Sequence, residues 1–318
     1  MPEILLETRD LSKQFVIKGK GLLTAVNHVN LSIGRGETVG LVGESGCGKT
    51  TLGRTIMKIY QPDGGDILWK GKSIFRMNKK ETLAYRKDVQ MVFQDPYASL
   101  DPLKVISQSI EEGLVIHGIG SRQERIRRVH ELLEMVGLNS EHANRFPHEF
   151  SGGQRQRIGI ARALAVEPQL IVCDEPISAL DVSIQAQVVN LLMRLQREMA
   201  LSYLFITHDL SMVRAIADRI AVMYLGTLVE LAPAETLYSD HRHPYTQALL
   251  SAIPIPDPDI EAERQRILLK GDIPSPVNLG PGCPFASRCP YADEQCRISA
   301  PALRQVAGNH FVACHHML

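Results

Sequence analysis

The sequence predicts an α/β fold with a largely parallel sheet, and two observations support that prediction. Short apolar segments typical of buried strands alternate along the chain with longer segments of helical apolar spacing. Two of the apolar segments, TVGLV (38–42) and QLIVC (169–173), are followed at once by glycines or acidic residues, as happens where parallel strands end at a ligand-binding edge. With 318 residues, 44% of them hydrophobic, the chain can bury a large core.

The predicted elements follow one another in the order that such a fold requires. Residues 1–42 have the character of β-structure, and a helix follows the glycine-rich stretch after them. The apolar spacing is helical from about 103 to 165 and again around 184–198. Further strands are predicted at 61–71, 89–96, 202–209 and 220–226. After residue 250 prolines become frequent, in IPIPDPD and IPSPVNLGPGCP, which predicts a linker and a separate C-terminal appendage.

Charge and hydropathy exclude several classes of protein. Lys plus Arg and Asp plus Glu both number 35, so the formal net charge is zero and no general basic footprint for nucleic acid is present. No apolar run reaches the roughly 18–20 residues that span a bilayer. The first ten residues lack the basic start and apolar stretch of a secretory signal. We therefore expect a cytosolic chain without a nucleic-acid partner, whose membrane role, if any, comes through a partner.

The segment GESGCGKT (43–50) matches the phosphate-binding pattern G-x-x-x-x-G-K-[ST] at every fixed position, between a predicted strand and a predicted helix. Backbone N–H groups and the helix N-terminus direct positive charge at phosphate oxygens. Lys49 supplies a further charge for the β- and γ-phosphates, and Thr50 offers a hydroxyl to Mg²⁺. Cys47 is expected to be a small filler rather than a nucleophile. The candidate ATP-binding residues are Gly43, Glu44, Ser45, Gly46, Cys47, Gly48, Lys49, Thr50 and Thr51.

A pair of acids provides the second half of a nucleotide site. In QLIVCDEP a buried strand delivers Asp174 and Glu175 to its C-terminal end. Asp174 is the candidate for the Mg²⁺ shell. Glu175 is the candidate general base, which accepts a proton from the attacking water.

Four further motifs point to one family of nucleotide-binding proteins. They are Gln94 at the end of the strand VFQ, SGGQ at 151–154, SALD at 178–181, and His208 in THD. Together with GESGCGKT and the acid pair they resemble the motifs of ATP-binding-cassette (ABC) ATPases over about 4–250. The resemblance implies a role for each motif. Gln94 would be the Q-loop residue, which binds Mg²⁺ and takes part in catalysis, and His208 would be the catalytic switch histidine. The signature would comprise Ser151, Gly152, Gly153 and Gln154, and Asp181 would lie in the D-loop.

The resemblance also implies the architecture. It predicts a P-loop NTPase core with an N-terminal antiparallel β-subdomain, an inserted helical signature subdomain at about 97–165 and a small Cys-rich C-terminal domain. The ATPase domain would span 1–250 and the extension 251–318. Each active site would be shared, with the phosphate loop of one subunit facing the signature of a second. Phe15 is the aromatic available to stack on adenine, and it fits a core position equally well.

The C-terminal third resembles the ATP-binding subunits of bacterial dipeptide and oligopeptide importers, in HPYTQALLSAIP and PGCPFASRCP. Such subunits are peripheral at the cytoplasmic face of the cell membrane. The implied partners are a second, related ATPase chain (a homodimer stays open), two permeases and a periplasmic or extracellular substrate-binding protein. The loop after Gln94, with Tyr97, is the candidate permease contact. Nickel or sugar-type cargo in the same family stays open, whereas the absence of sustained heptads before the signature disfavours a non-transport ABC ATPase.

Four cysteines lie within 32 residues, spaced C-x5-C-x6-C-x17-C: Cys283, Cys289, Cys296 and Cys314. A cytosolic location disfavours disulfides. Structural zinc usually has closer cysteine pairs, and the spacing is not that of a common ferredoxin. Some peptide-importer ATPases that resemble this tail are associated with a [4Fe–4S] cluster, so we predict that cluster, with zinc as the alternative. One of His310, His315 and His316 could replace a thiolate, although Cys314 is expected to ligate.

Overall fold

The computed structural model describes residues 3–254, 266–269, 271–272 and 274–318. Most of the proline-rich linker predicted at 253–259, and Ile273 of IPSP, lie outside the described residues. The chain divides into two compact units. The first unit comprises the described residues of Met1–Leu6, Ile33–Glu37 and Trp69–Ile206, and the second unit those of Glu7–Ser32, Thr38–Leu68 and Thr207–Leu318.

The strands and helices have the following bounds. The strands are β1 (Ile4–Ile17), β2 (Gly21–Gly34), β3 (Thr38–Val42), β4 (Gly64–Trp69), β5 (Lys72–Ser73), β6 (Val89–Val92), β7 (Leu170–Asp174), β8 (Ser202–Thr207), β9 (Arg219–Tyr224), β10 (Thr227–Pro233), β11 (Arg304–Ala307) and β12 (His310–Val312). The helices are α1 (Lys49–Ile56), α2 (Lys79–Asp88), α3 (Ile106–Ile116), α4 (Arg122–Met135), α5 (Gly152–Leu164), α6 (Val182–Met199), α7 (Leu210–Ile216), α8 (Ala234–Ser239), α9 (Pro244–Ser251) and α10 (Glu294–Ile298). Short 3₁₀ turns lie at Ile74–Arg76, Ser140–Asn144 and Pro147–Glu149. The mixed α/β content predicted from the sequence is confirmed.

In the first unit, β7 is the central strand of a parallel arrangement. It pairs with β6 on one side and with β8 on the other, with Val92 opposite Cys173 and Asp174 opposite Ile206. Every residue of β7 is buried, as the apolar run LIVC predicts. Parallel strands end at a common edge, so the residues after β6 and β7 lie on the same side of the first unit.

The helices α3, α4 and α5 occupy the part of the first unit where the sequence has helical spacing. Helix α4 begins with a capping box, in which the Ser121 hydroxyl accepts the Glu124 N–H and the Glu124 carboxylate accepts the Ser121 N–H. Its apolar residues Val129, Leu132 and Leu133 are buried while its many charges are exposed. Helix α2 lies outside the predicted elements.

In the second unit, β3 pairs in parallel with β9, and β9 continues through antiparallel β10 and β12 to β11. The last three strands were not predicted from the sequence. Strands β1 and β2 form a hairpin whose turn is closed by the Lys20 N–H donating to the Ile17 carbonyl, and β4 neighbours β1. No helix in the described part of the chain is both long enough and apolar enough to span a bilayer.

Candidate active site

The phosphate loop (43–50) lies in the second unit between β3 and α1, as predicted. Two glycines of the loop have positive φ angles and lie so close to neighbouring backbone that a side chain would clash with it. A Cβ at Gly43 (φ 155°) would lie 2.2 Å from the Met223 carbonyl oxygen, and one at Gly48 (φ 107°) 1.9 Å from that of Ala25. The loop therefore fits against β9 and β2 because these positions are glycine.

Lys49 turns back onto this loop. Its ammonium nitrogen donates to the carbonyl oxygens of Gly43, at 2.8 Å, and Glu44, at 2.9 Å, and the residue is only 4% exposed. The Cys47 thiol is also buried, and burial raises its pKa. A thiol kept protonated in this way is a poor nucleophile, which agrees with the interpretation of Cys47 as a filler.

The loop also contacts a residue that sequence reasoning missed. The Glu44 N–H donates to the hydroxyl of Tyr245, 3.0 Å away and 201 residues later in the chain. Tyr245 lies on α9 and is fully buried. No local pattern could have found this contact, because it joins two distant parts of the second unit.

Phe15, the candidate adenine contact, is half-buried in the second unit. Its ring meets Tyr60 edge-on with centroids 5.3 Å apart, and the Lys13 ammonium lies 5.2 Å from its centroid. Phe15 is therefore not a closed core residue. Tyr60 is an aromatic neighbour that the sequence analysis did not single out.

His208, also in the second unit, follows the last residue of β8 and is exposed. The next residue, Asp209, caps α7 by accepting the N–H groups of Ser211 and Met212. The predicted switch histidine thus lies on a short, capped connection between a strand and a helix.

In the first unit, the acid pair lies at the end of β7. Asp174 is 1% exposed, while Glu175 is half-buried just beyond the strand. The backbone of Glu175 has φ 45°, and its N–H donates to the Ile206 carbonyl at 3.0 Å. A left-handed conformation in a residue other than glycine is costly and is typical of functional sites.

Two predicted catalytic residues are in contact. The Gln94 amide nitrogen donates to a Glu175 carboxylate oxygen at 3.0 Å, although 81 residues separate them in the chain. The sequence analysis placed Gln94 at the end of a strand. Strand β6 ends at Val92, so Gln94 lies two residues beyond that end. The contact fixes the orientation of the candidate base.

The predicted signature forms the start of α5. Ser151 is the N-cap, its hydroxyl accepts the Gln154 N–H at 3.3 Å, and its own N–H donates to the Gln154 side chain at 3.0 Å. This reciprocal pair explains the serine–glutamine spacing. A Cβ at Gly153 would lie 2.5 Å from a methyl of Ile184 on α6, the helix that begins after Asp181.

The loop after Gln94 is tied to the same helix. The Arg155 guanidinium, one residue past the SGGQ motif, lies 3.5 Å from the centroid of the Tyr97 ring. Tyr97 is nevertheless 64% exposed. The stacking joins the loop and the signature helix within the first unit.

The four C-terminal cysteines lie near one another in the second unit. Cys296 and Cys314 are buried, Cys283 and Cys289 half-buried, and the Cys283 N–H donates to the Cys296 carbonyl at 2.7 Å. The pKa of Cys314 is raised to about 11, first by burial and then by the charges of the other three thiols.

The candidate histidines have different surroundings. His310 bonds to Glu230 and His315 to the Ser299 carbonyl, whereas His316 lies with Asp293 and Cys296. Among the residues that the structure describes, Asp293, Cys296 and His316 form the group of possible metal ligands whose ligand atoms all lie within 4.8 Å of one another.

Two family models match the chain. Residues 26–178, which include the phosphate loop and the acid pair, match "ABC transporter", and residues 229–296 match "Oligopeptide/dipeptide transporter, C-terminal region". The oligopeptide transport ATP-binding protein OppF of Bacillus subtilis is 54% identical over 316 residues, 99% of this chain and 97% of its own. AppF of the same organism, with the same description, is 51% identical over 320 residues, 98% of this chain and 97% of its own. The chain belongs to the oligopeptide-importer family of ABC transporter ATP-binding proteins.

Solved structures agree with this assignment to the ABC ATPases. A dimeric, post-hydrolysis structure of the cassette MJ0796 bound to ADP and Pi is 31% identical and covers 72% of this chain and 99% of its own, with a TM-score of 0.66. The structure of cbiO1 from Clostridium perfringens, part of the cbiONQ transporter, is 27% identical and covers 75% and 92%, also with a TM-score of 0.66. The ABC ATPase fold predicted from the motifs is confirmed, and the chain is the ATP-hydrolysing subunit of a transporter.

Proposed function

We propose that this ABC ATPase hydrolyses ATP to power the import of oligopeptides or dipeptides through a partner permease. The observation that carries the proposal is the match of residues 229–296 to the C-terminal region of oligopeptide and dipeptide transporters, on a chain that also has the phosphate loop. The names of its relatives, oligopeptide transport ATP-binding proteins, support the same cargo.

ATP binding is assigned to the phosphate loop and the residues around it. Backbone N–H groups of 43–51 and the Lys49 ammonium bind phosphate, so Lys49 exchanges its bonds to the loop carbonyls for phosphate oxygens. Phe15 stacks on adenine. The Mg²⁺ ligands that the family resemblance implies are the Thr50 hydroxyl, Asp174 and Gln94, and oxygen ligands are those that Mg²⁺ prefers. Mg²⁺ supplies charge neutralisation on the phosphates.

Hydrolysis is assigned to Glu175. Its carboxylate accepts the proton of the attacking water, and the bond from Gln94 holds the carboxylate in one orientation. His208 is the second polar residue proposed at the γ-phosphate. The acid–base step requires no covalent intermediate, because positioning and charge neutralisation carry most of phosphoryl transfer.

A second ATPase chain is proposed to complete each site. The N–H groups at the start of α5, at Gly152 and Gly153, with Ser151 and Gln154, would close over the γ-phosphate bound by the other subunit, and Asp181 would lie at that interface. A related, non-identical chain is the proposed partner. The ATPase domain would span 1–250, with the signature subdomain at about 97–165 and the extension at 251–318.

Association with the membrane provides the test of the proposed function. The chain is proposed to act peripherally at the cytoplasmic face of the bacterial membrane, below two permeases that receive peptide from a substrate-binding protein. Tagged chain purified from detergent-solubilised native membrane should bring down two integral membrane proteins and a second ATPase. Cells lacking the chain should lose uptake of a labelled tripeptide, and should regain it with the wild-type chain. Restored uptake of nickel or a sugar, with tripeptide uptake unaffected, would contradict the peptide assignment.

The four cysteines are proposed to bind a [4Fe–4S] cluster that holds the C-terminal segment together. Four thiols suit iron or zinc. A zinc ion bound by four thiolates needs every sulfur at about 2.3 Å, and the compact donor set at Cys296 holds one thiol rather than four. A multi-atom cluster lies between its thiolates and accepts a wider arrangement. When bound, the cluster supplies folding energy rather than chemistry on ATP.

Colour tests the cluster. Chain purified without oxygen should be brown, with a broad absorbance that disappears in Cys289→Ser. Cys173→Ser, which changes a buried cysteine of β7 in the first unit, is the control and should keep the colour. A colourless anaerobic preparation with one zinc per chain would show that the cluster assignment is wrong.

A further inference from the structure

Arg288 lies in the cysteine segment (283–314), which contains the four C-terminal cysteines, and its buried side chain contacts the phosphate loop. The Arg288 guanidinium forms two bonds to the Glu44 carboxylate, Nη1 to Oε2 at 2.7 Å and Nη2 to Oε1 at 3.2 Å. The side chains are 8% and 24% exposed, respectively. Two parallel bonds from a guanidinium to a carboxylate fix both groups in direction as well as distance. Both residues belong to the second unit.

The main chain around Arg288 is held in place independently of this ion pair. The N–H groups of Arg288 and Cys289 both donate to the Phe285 carbonyl at 3.0 Å, which forms a tight turn. The Phe285 ring is 1% exposed and lies against Tyr224 and Tyr245, with centroids 5.3 Å and 5.4 Å away. The turn is thereby anchored on an aromatic cluster, and Arg288 extends from it to the loop.

Glu44 is a position where a carboxylate needs neutralisation. It lies in a loop whose task is to receive several phosphate negative charges, and its own carbonyl already accepts a bond from the Lys49 ammonium. An unpaired carboxylate there would repel the nucleotide and would be free to bond to Lys49 or to loop N–H groups. The contact with Arg288 removes both effects.

We propose that Arg288 is a positioning residue for nucleotide binding: it neutralises Glu44 and holds the Glu44 carboxylate in an ion pair, so that this carboxylate does not bond to Lys49 or to the loop N–H groups. The proposal rests on the proposed ATP-binding function of the loop. It makes the segment between Cys283 and Cys289 a determinant of nucleotide affinity, although that segment contains none of the residues assigned to phosphate, adenine or Mg²⁺.

The test is the affinity of the full chain for a non-hydrolysable ATP analogue with Mg²⁺, measured by calorimetry. Arg288→Met should raise Kd about 10-fold, since it leaves a partly buried carboxylate unpaired beside the phosphates. Arg288→Lys should recover most of the affinity, because it restores the charge. Arg297→Met, an exposed arginine of the same segment, is the control and should stay within about twofold of wild type.

The decisive variant combines Arg288→Met with Glu44→Gln. If Arg288 acts by neutralising Glu44, removal of that charge should restore most of the affinity that Arg288→Met loses. A merely structural role predicts no such recovery. If Arg288→Met does not fold, Arg288→Gln removes the charge and keeps hydrogen-bonding capacity. A single variant that binds like wild type, or a double variant no better than Arg288→Met, would overturn the proposal. Failure of the wild-type chain to bind the analogue would instead count against the proposed function.

Discussion

Glu175→Gln should lower the rate of ATP hydrolysis by about 10²–10⁴-fold while nucleotide still binds. The glutamine side chain has nearly the same shape and can accept the bond that Gln94 donates at 3.0 Å, but it cannot accept a proton from water. Nucleotide binding is proposed to depend mainly on the phosphate loop in the second unit, and Glu175→Gln leaves that loop unchanged. Steady-state phosphate release and calorimetric binding, measured on the same preparation, separate the two effects.

Two further variants serve as comparisons for Glu175→Gln, one as a control for hydrolysis and one as an example of weakened binding. Glu167→Gln, at an exposed carboxylate in the same unit, should hydrolyse ATP at the wild-type rate. Lys49→Ala should weaken binding itself, because the loop loses its ammonium. Near wild-type hydrolysis by Glu175→Gln would remove Glu175 as the general base.

Glu230→Leu should lower the free energy of unfolding of the second unit by about 3–5 kcal/mol. The Glu230 carboxylate is fully buried and accepts three bonds: from the N–H groups of Arg242, at 2.6 Å, and His243, at 3.1 Å, and from the His310 ring nitrogen, at 2.7 Å. Leucine fills similar space but leaves these three donors, two of them buried and one part-buried, without an acceptor. Urea denaturation followed by a probe in the second unit measures the change.

The surroundings of Glu230 provide the control. Glu235→Leu changes an exposed carboxylate on the adjacent helix α8 and should shift the unfolding midpoint little. If Glu230→Leu unfolded at the same urea concentration as wild type, the bonds from His310 and its neighbours would have no role in stability.

Sequence reasoning succeeded where the determinants are local. The strand, glycine-rich loop and helix over 38–56 follow from adjacent residues, and the cap at Ser151 follows from a glutamine three residues later. The roles of Gln94 and His208 came from the family resemblance and stay predictions. Their placement needed the strand pairing of the fold.

The rest depended on contacts between distant residues. β12 has only three residues, too few to show an alternating pattern, and it pairs with β10 about 80 residues earlier. The left-handed backbone of Glu175 accompanies a hydrogen bond from its N–H to the Ile206 carbonyl of the neighbouring strand, a contact that no adjacent residue in the sequence indicates. The bonds of Glu44 to Tyr245 and Arg288 likewise join residues more than 200 positions apart, so no local sequence pattern indicates them.

The close fit of Gly43 against Met223 has a consequence for folding kinetics. The loop acquires its shape only when β9 has paired with β3, a closure that also joins Thr38 to Asp218, 180 residues later. Bringing together two strands about 180 residues apart costs chain entropy before any contact between them compensates for it. Non-local pairing of this kind slows folding. Competence to bind nucleotide should therefore appear late during refolding, together with the burial of β9, and nucleotide in the refolding buffer should stabilise the end state without speeding the earlier steps.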